Sequence, residues 1–136
     1  MPAPDAPNNK YLHRSWPELA QFYASFPTPL ADLRHALDAL GYLCEAIHRS
    51  HLNDQLFAHT SHERLMICQS RNVFPPPQGV AFLVIHPLSN ATLRVSIERW
   101  GQGEDDWVRV VEHTDLVKKF NTFLRQLGCS YHDIGV

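Results

Sequence analysis

The sequence has few cysteines, and it has no long hydrophobic run. Its three cysteines, Cys44, Cys68 and Cys129, are widely spaced and form no C-x-x-C pair, which disfavours a disulfide framework and a four-thiolate zinc site. The longest apolar run, residues 80–85, is too short to cross a bilayer. Residues 1–10 contain three prolines and no apolar stretch, so they resemble no secretory signal. We therefore expect a cytoplasmic protein without a membrane segment.

An excess of charge of either sign is also missing. Twelve Lys and Arg side chains stand against fourteen Asp and Glu side chains, and the net charge is -2 with histidine neutral. A chain with this balance has no general attraction for phosphate backbones or anionic lipid. The composition therefore predicts neither a nucleic acid nor a membrane as a partner.

Large apolar side chains, in contrast, recur along most of the chain. Hydrophobic residues make up 44% of its 136 residues, and a chain of this length buries enough surface to form a core without disulfides or metal. This content argues against intrinsic disorder, although charged residues are only 19%. We expect residues 1–10 to be a flexible tail, residues 11–136 to form one domain, and no cofactor to be needed.

The first half of the chain has helical patterning. A capping box at residues 15–18, followed by apolar residues at i, i+3, i+4 and i+7, predicts a short helix. Thr28-Pro29 supplies an N-cap and a proline at the first position of a second helix. The apolar stripe of that helix continues beyond Gly41, so we expect the helix to run through the glycine. The polar, histidine-rich stretch 49–63 is predicted to be a loop with at most one helical turn.

The second half changes to the pattern of short strands. Four stretches rich in Val and Ile are separated by turn residues, and a final amphipathic helix is predicted after them from Asp115 to Leu127. The expected class is α+β, with two or three N-terminal helices, a four-stranded antiparallel meander and a C-terminal helix packed on the sheet. The predicted strands are residues 64–69, 79–86, 92–100 and 107–112, and the predicted core includes Leu33, Leu37, Ile97, Val110, Phe120 and Leu124.

The third hairpin suggests a binding surface. If Trp100 and Trp107 lie opposite each other across its loop, the register sets Glu98 against Arg109. Alternation then places both tryptophans on the face opposite the core. Either this face is free to bind a partner, or the N-terminal helix covers it as a second layer.

Tryptophan and arginine dominate the energetics of protein-binding surfaces. The sequence therefore predicts that the tryptophan face, or the acidic run that precedes Trp107, binds another protein. The candidate partner-binding residues are Arg94, Glu98, Trp100, Glu104, Asp105, Asp106, Trp107 and Arg109.

Two histidine pairs support an alternative reading. Histidines at i and i+3 of a helix can present two nitrogens to one metal, but a zinc site needs three or four donors. The order His59, His62, Glu63 matches neither H-E-x-x-H nor H-x-x-E-H, so the general base of a zinc protease is missing. A polar loop is the simpler interpretation, and the alternative is a metal-binding protein or small hydrolase that uses His48, His51, His59, His62 and Glu63.

The sequence therefore favours a small cytoplasmic protein-binding module over an enzyme. The expected partner is another protein or a second copy of the chain, bound as an inhibitor, an antidote of the immunity type or a chaperone would bind it. A third hypothesis, in which Trp100 and Trp107 stack nucleotide bases, is opposed by the net charge and by the acidic run.

Overall fold

A computed structural model describes residues 15–69, 80–99 and 105–127. Three helices and five strands are present in these ranges, and a single 3-10 turn at His113–Asp115 joins the last strand to the last helix. The predicted tail, Trp100, Glu104 and Cys129 lie outside the described residues. The helices are α1 (Trp16–Ala24), α2 (Ala31–His48) and α3 (Leu116–Leu127), and the strands are β1 (Phe57–Ser61), β2 (Arg64–Cys68), β3 (Ala81–Pro87), β4 (Thr92–Arg99) and β5 (Trp107–Glu112).

The five strands form one antiparallel sheet in the order β1-β2-β3-β4-β5, so each strand pairs with its neighbour in the chain. This confirms the α+β class, with its N-terminal helices and closing helix. The sheet has one strand more than predicted, because β1 forms inside the stretch expected to be a loop. A tight turn connects β1 to β2, and His62 in that turn has a φ of 57°, in the left-handed region.

Helix α1 begins at the predicted capping box. The hydroxyl of Ser15 accepts a hydrogen bond from the backbone N–H of Glu18 at 3.3 Å, and the carboxylate of Glu18 accepts from the backbone N–H of Ser15 at 3.3 Å. Each side chain thus accepts a hydrogen bond from the backbone N–H of the other residue. Backbone N–H groups at the start of a helix have no partner within the helix.

Helix α2 runs through Gly41, as predicted, but it begins at Ala31 rather than beside Pro29. The hydroxyl of Thr28 accepts from the backbone N–H of Leu30 at 3.1 Å, two residues ahead, and therefore closes a turn before the helix. The helix continues past Gly41 at a cost of about 1 kcal/mol, and the turn that follows buries Leu43 completely.

Arg34 joins α1 to α2. Its guanidinium donates to the carbonyl oxygens of Tyr23 and of Phe26, the latter at 2.7 Å, and to Asp38 at 3.0 Å. These carbonyls lie at the end of α1, where backbone oxygens lack helical partners and a positive charge is favourable. Arg34 therefore fixes the angle at which α1 packs on α2.

One face of the sheet, the helix face, packs against α2 and α3. Alternate residues of β3 and β4 enter this core, in which Trp16, Tyr23, Phe120 and Phe123 are the largest buried side chains. The predicted core residues confirmed here are Leu37, Ile97, Phe120 and Leu124, with Leu33 packed at the margin. Val110 is the exception, because it is 54% exposed and does not belong to this core.

The helices of the described ranges include none with the length and apolarity needed to span a bilayer.

Candidate functional site

The register between β4 and β5 differs from the predicted one by three residues. Trp107 lies opposite Ile97, and Arg109 lies opposite Val95 instead of Glu98. Because side chains alternate between the two faces of a sheet, an odd shift moves every side chain of β5 to the other face. The predicted distribution of β5 side chains between core and surface is therefore wrong.

Trp107 lies on the helix face. Its ring centroid is 5.7 Å from that of Phe123 in α3, and the guanidinium carbon of Arg109 lies 5.3 Å from the centre of the Trp107 ring. Val108 and Val110 take the opposite face, where 43% and 54% of their surfaces are exposed. Helix α3 covers Trp107 on the helix face, whereas the alternative drawn from the sequence placed the N-terminal helix over it as a second layer. Packing the indole on α3 buries far more apolar surface than packing a valine there.

The two described residues of the acidic run pair with arginines of β4. Asp105 accepts from Arg94 at 2.6 Å, and Asp106 accepts from Arg99 at 2.6 Å. The backbone N–H of Asp106 also donates to the carbonyl oxygen of Ile97 at 2.8 Å. These bonds hold the start of β5 against β4 and neutralise both carboxylates, so they do not form an isolated acidic patch.

The second face of the sheet, on which no helix of the described ranges packs, is called here the open face. Its centre is a small apolar cluster in which Phe82 and Val84 are buried, with Met66 and Cys68 packed against them. Ser96 lies in the same row as Val84 and donates its hydroxyl to Glu98 at 2.9 Å. Val108 follows in that row, and Val110 lies in the next row beside Arg94. The apolar character of this face therefore extends outward to β5.

Strand β5 is an edge strand, and its outer edge has no strand paired to it within the described ranges. The backbone N–H of His113 donates to the carbonyl of Ala91 at 3.0 Å, and hydrogen-bonded pairs recur at every second residue of an antiparallel ladder. The amides of residues 107, 109 and 111 therefore point to β4. The amides and carbonyls of Val108, Val110 and Glu112 point away from it.

The structure thus combines two features on β5. Val108 and Val110 expose their side chains on the open face, and the backbone groups of the same residues face outward along the edge. Of the predicted candidates, Arg94 and Glu98 lie on this face. The sequence missed both valines, since valines that alternate along a strand are more often in a core. A partner-binding role for the predicted residues stays a prediction.

The histidine pairs lie on separate elements. His48 ends α2 and His51 follows it in an exposed turn, whereas His62 and Glu63 form the turn between β1 and β2. Glu63 is engaged there, because its carboxylate lies 3.3 Å from the ring of His86. His59 lies in β1, opposite Met66. Among the side chains that the structure describes, no three of the His, Cys, Asp or Glu type are grouped so that they could hold one metal ion.

Cys44 is not placed as a nucleophile. It is completely buried on α2, and burial raises the pKa of its thiol far above the ordinary value. Since the thiolate is the reactive form, His48 one helical turn away would have no accessible nucleophile to activate.

A shallow cavity of about 370 Å³ lies where α2 meets the 3-10 turn. The imidazole rings of His35 and His113 stack at its wall with centroids 5.0 Å apart, and Asp38 and Tyr42 also line it. No local signal could have found this pair, since its members are far apart in the chain. The two imidazoles could bind a polar group in this cavity. Asp38, the carboxylate that also lines it, already pairs with Arg34.

No family model, no curated protein and no solved structure matches this chain.

Proposed function

We propose that this chain is a protein-binding module that accepts an extended strand of a second polypeptide chain, either a different protein or another copy of itself, at the outer edge of β5. The observation that carries the proposal is the coincidence on Val108 and Val110 of exposed apolar side chains and outward backbone groups.

Strand addition gains from both features. An added strand pairs with the free N–H and C=O groups of an edge, and its alternate side chains contact those of the edge strand. Natural edges that must stay free carry lysine, proline or inward-pointing charges, or are covered. Strand β5 contains neither lysine nor proline, and its single basic residue, Arg109, lies beside Trp107 on the helix face.

The open face supplies further contact area. Arg94 and Glu98 flank the valines there and are held by Asp105 and Ser96, so they are pre-ordered for polar contacts at the rim of an interface. The proposed partner-binding residues are therefore Val108 and Val110 at the centre, with Arg94 and Glu98 beside them.

We further propose that the module works in the cytoplasm without a cofactor, in the manner of an inhibitor, an antidote or a chaperone. Two of its thiols, Cys44 and Cys68, are free, which suits a reducing compartment. Within the residues that the structure describes, neither a metal-dependent reaction nor nucleic-acid binding has a comparable observation in its favour.

The test compares proteins captured from a lysate of the native host by the wild-type chain and by Val110→Lys. Lysine places a charge at the centre of the edge without altering a bond to β4. The matched control is Tyr42→Lys, which adds the same charge at an exposed aromatic residue on α2. A partner retained by the wild type and by the control, and lost with Val110→Lys, is the expected result. Equal capture by all three chains would contradict the proposal.

Hydrogen exchange on the purified partner complex locates the binding site on the chain. The amides of Val108, Val110 and Glu112 should gain protection when the partner binds, whereas those of residues 107, 109 and 111 are already protected by β4. Protection confined to the helices would place the binding site elsewhere and overturn the assignment to β5.

A further inference from the structure

We infer that the partner at this edge is a second copy of the chain, with the two β5 strands antiparallel across a twofold axis at Val110. This inference rests on the proposed function and names its partner. The two sheets then become one continuous sheet of ten strands, counting the five described in each copy.

Symmetry limits how the two edges can meet. A twofold axis that makes two strands antiparallel stands normal to the sheet, so each face continues into the same face of the other copy. Residues directly opposite each other must then come from the same face, which requires an axis that passes through a residue. Three central residues of β5 meet this condition: Arg109, Val110 and Val111.

Charge excludes the axis at Arg109. That register sets the guanidinium of Arg109 against its own copy and the carboxylate of Asp106 against that of Glu112. Like charges directly opposite each other destabilise a strand pair. The Arg109 pair would lie at the centre of the contact, and the Asp106–Glu112 pairs would lie within the overlap of the two strands. Neither repulsion could therefore be avoided.

Overlap disfavours the axis at Val111. That register sets Val108 against Thr114, which lies in the 3-10 turn beyond the end of β5. It also sets Val110 against Glu112. Fewer strand residues would pair, and both exposed valines would face polar partners.

The axis at Val110 has neither defect. Val110 then lies against its own copy, Arg109 against Val111, and Val108 against Glu112, so five residues of each strand pair and no like charges are opposed. The outward N–H and C=O groups of Val108, Val110 and Glu112 face the matching groups of the other copy. Val110, the most exposed valine of the described ranges, is then buried by the other copy.

The size of this contact sets the expected affinity. Pairing of two short edges is smaller than the roughly 1,200–2,000 Å² of a stable standard interface, so we expect a dissociation constant of about 1–100 µM. Sedimentation of the full chain between 1 and 500 µM should show a monomer that converts to a dimer as concentration rises. Val110→Lys should remain a monomer throughout, while Tyr42→Lys should behave as the wild type.

Single cysteines test the register. In a Cys129→Ser background, Val110→Cys places two thiols across the axis with Cα atoms about 5.5 Å apart, within the range of a disulfide. It should oxidise to a covalent dimer at least about tenfold faster than Tyr42→Cys, because pairing raises the effective thiol concentration. Val108→Cys should match the slow control, since its two copies lie about 13 Å apart along the strands.

Fastest oxidation at position 108, 109 or 111 would overturn the register. A chain that stays monomeric up to 500 µM, with Val110→Cys no faster than Tyr42→Cys, would overturn the dimer. In that case edge-specific capture of a different protein would leave the proposed function standing, whereas equal capture by wild type and Val110→Lys would refute both.

Discussion

The helix face and the open face of the sheet differ in how completely their side chains are buried. The helix face is covered by α2 and α3, and nearly every side chain that it presents from the central strands is completely buried. The open face has a small buried cluster at Phe82 and Val84, beyond which side chains become more exposed towards β5. The helix face therefore contributes most of the apolar burial that stabilises the fold, and the exposed part of the open face at β5 is where substitutions can change binding without unfolding the chain.

Helix-face packing should give the largest effect on stability. Phe120→Ala should lower the free energy of unfolding by about 3–5 kcal/mol, because it removes a completely buried ring between α3 and the sheet. Val84→Ala, on the open face, should cost only about 1–2 kcal/mol, in proportion to the smaller area removed. Urea melts of both variants measure this difference, and equal losses would show that the two faces contribute alike.

The register at β5 gives the next largest effect. Trp107→Ala should cost about 2–3 kcal/mol, because the half-buried indole packs on Phe123. Val108→Ala, one residue further along, should change stability by less than about 0.5 kcal/mol. A larger loss at Val108 than at Trp107 would restore the register expected from the sequence.

The two described thiols extend the comparison to pH. Burial raises the pKa of Cys44 on the helix side, and it raises that of Cys68 on the open face to about 12. In the unfolded chain both thiols ionise near pH 8.5. Below that pH the thiols are neutral in both states and do not lower the free energy of unfolding. As the pH rises towards 12, the free energy of unfolding falls, because the unfolded chain loses thiol protons that the folded chain retains. Urea melts from pH 8 to 10 should show this decline, and it should be shallower in Cys44→Ala, which has one such thiol fewer. An unchanged slope would contradict the burial of Cys44.

The smallest effect is expected at the turn between β3 and β4. Ala91 has a φ of 66°, a left-handed conformation that costs a residue with a Cβ about 1 kcal/mol. Ala91→Gly should therefore raise the free energy of unfolding by at most about 1 kcal/mol. The substitution relieves the strain in the folded chain, but glycine also gives the unfolded chain more conformational freedom, which offsets part of the gain. A thermal melt measures this gain. A loss of more than about 1 kcal/mol would show that the methyl group has a packing role.

Local patterns predicted most of the fold. The capping box at Ser15 and the stripe through Gly41 depend on residues close in sequence, and both helices formed as expected. Strand β1 was missed because its sequence, Phe-Ala-His-Thr-Ser, has one large apolar residue and weak alternation. Its pairing with β2 decides its conformation, and pairing is not visible in a segment this short.

The candidate site was less predictable, for a similar reason. Two tryptophans on either side of a loop favour a register in which they are opposed, but the register is decided by the packing of Trp107 on Phe123 in α3. That helix comes later in the chain, and no pattern within the hairpin encodes its position. The stacked pair of His35 and His113 was out of reach on the same grounds.

The order of the strands has a consequence for folding during synthesis. Every strand pairs with the one made just before it, so the sheet can grow hairpin by hairpin with short loops to close, which favours rapid folding. Helix α3 is different, because it packs on strands that have already been made and brings Phe120 and Phe123 into the core. Until α3 docks, α2 alone covers the helix face, and the part of the apolar sheet that α3 will bury stays exposed. Any delay between folding of the strands and docking of α3 would therefore prolong the stage at which this chain is most prone to aggregate.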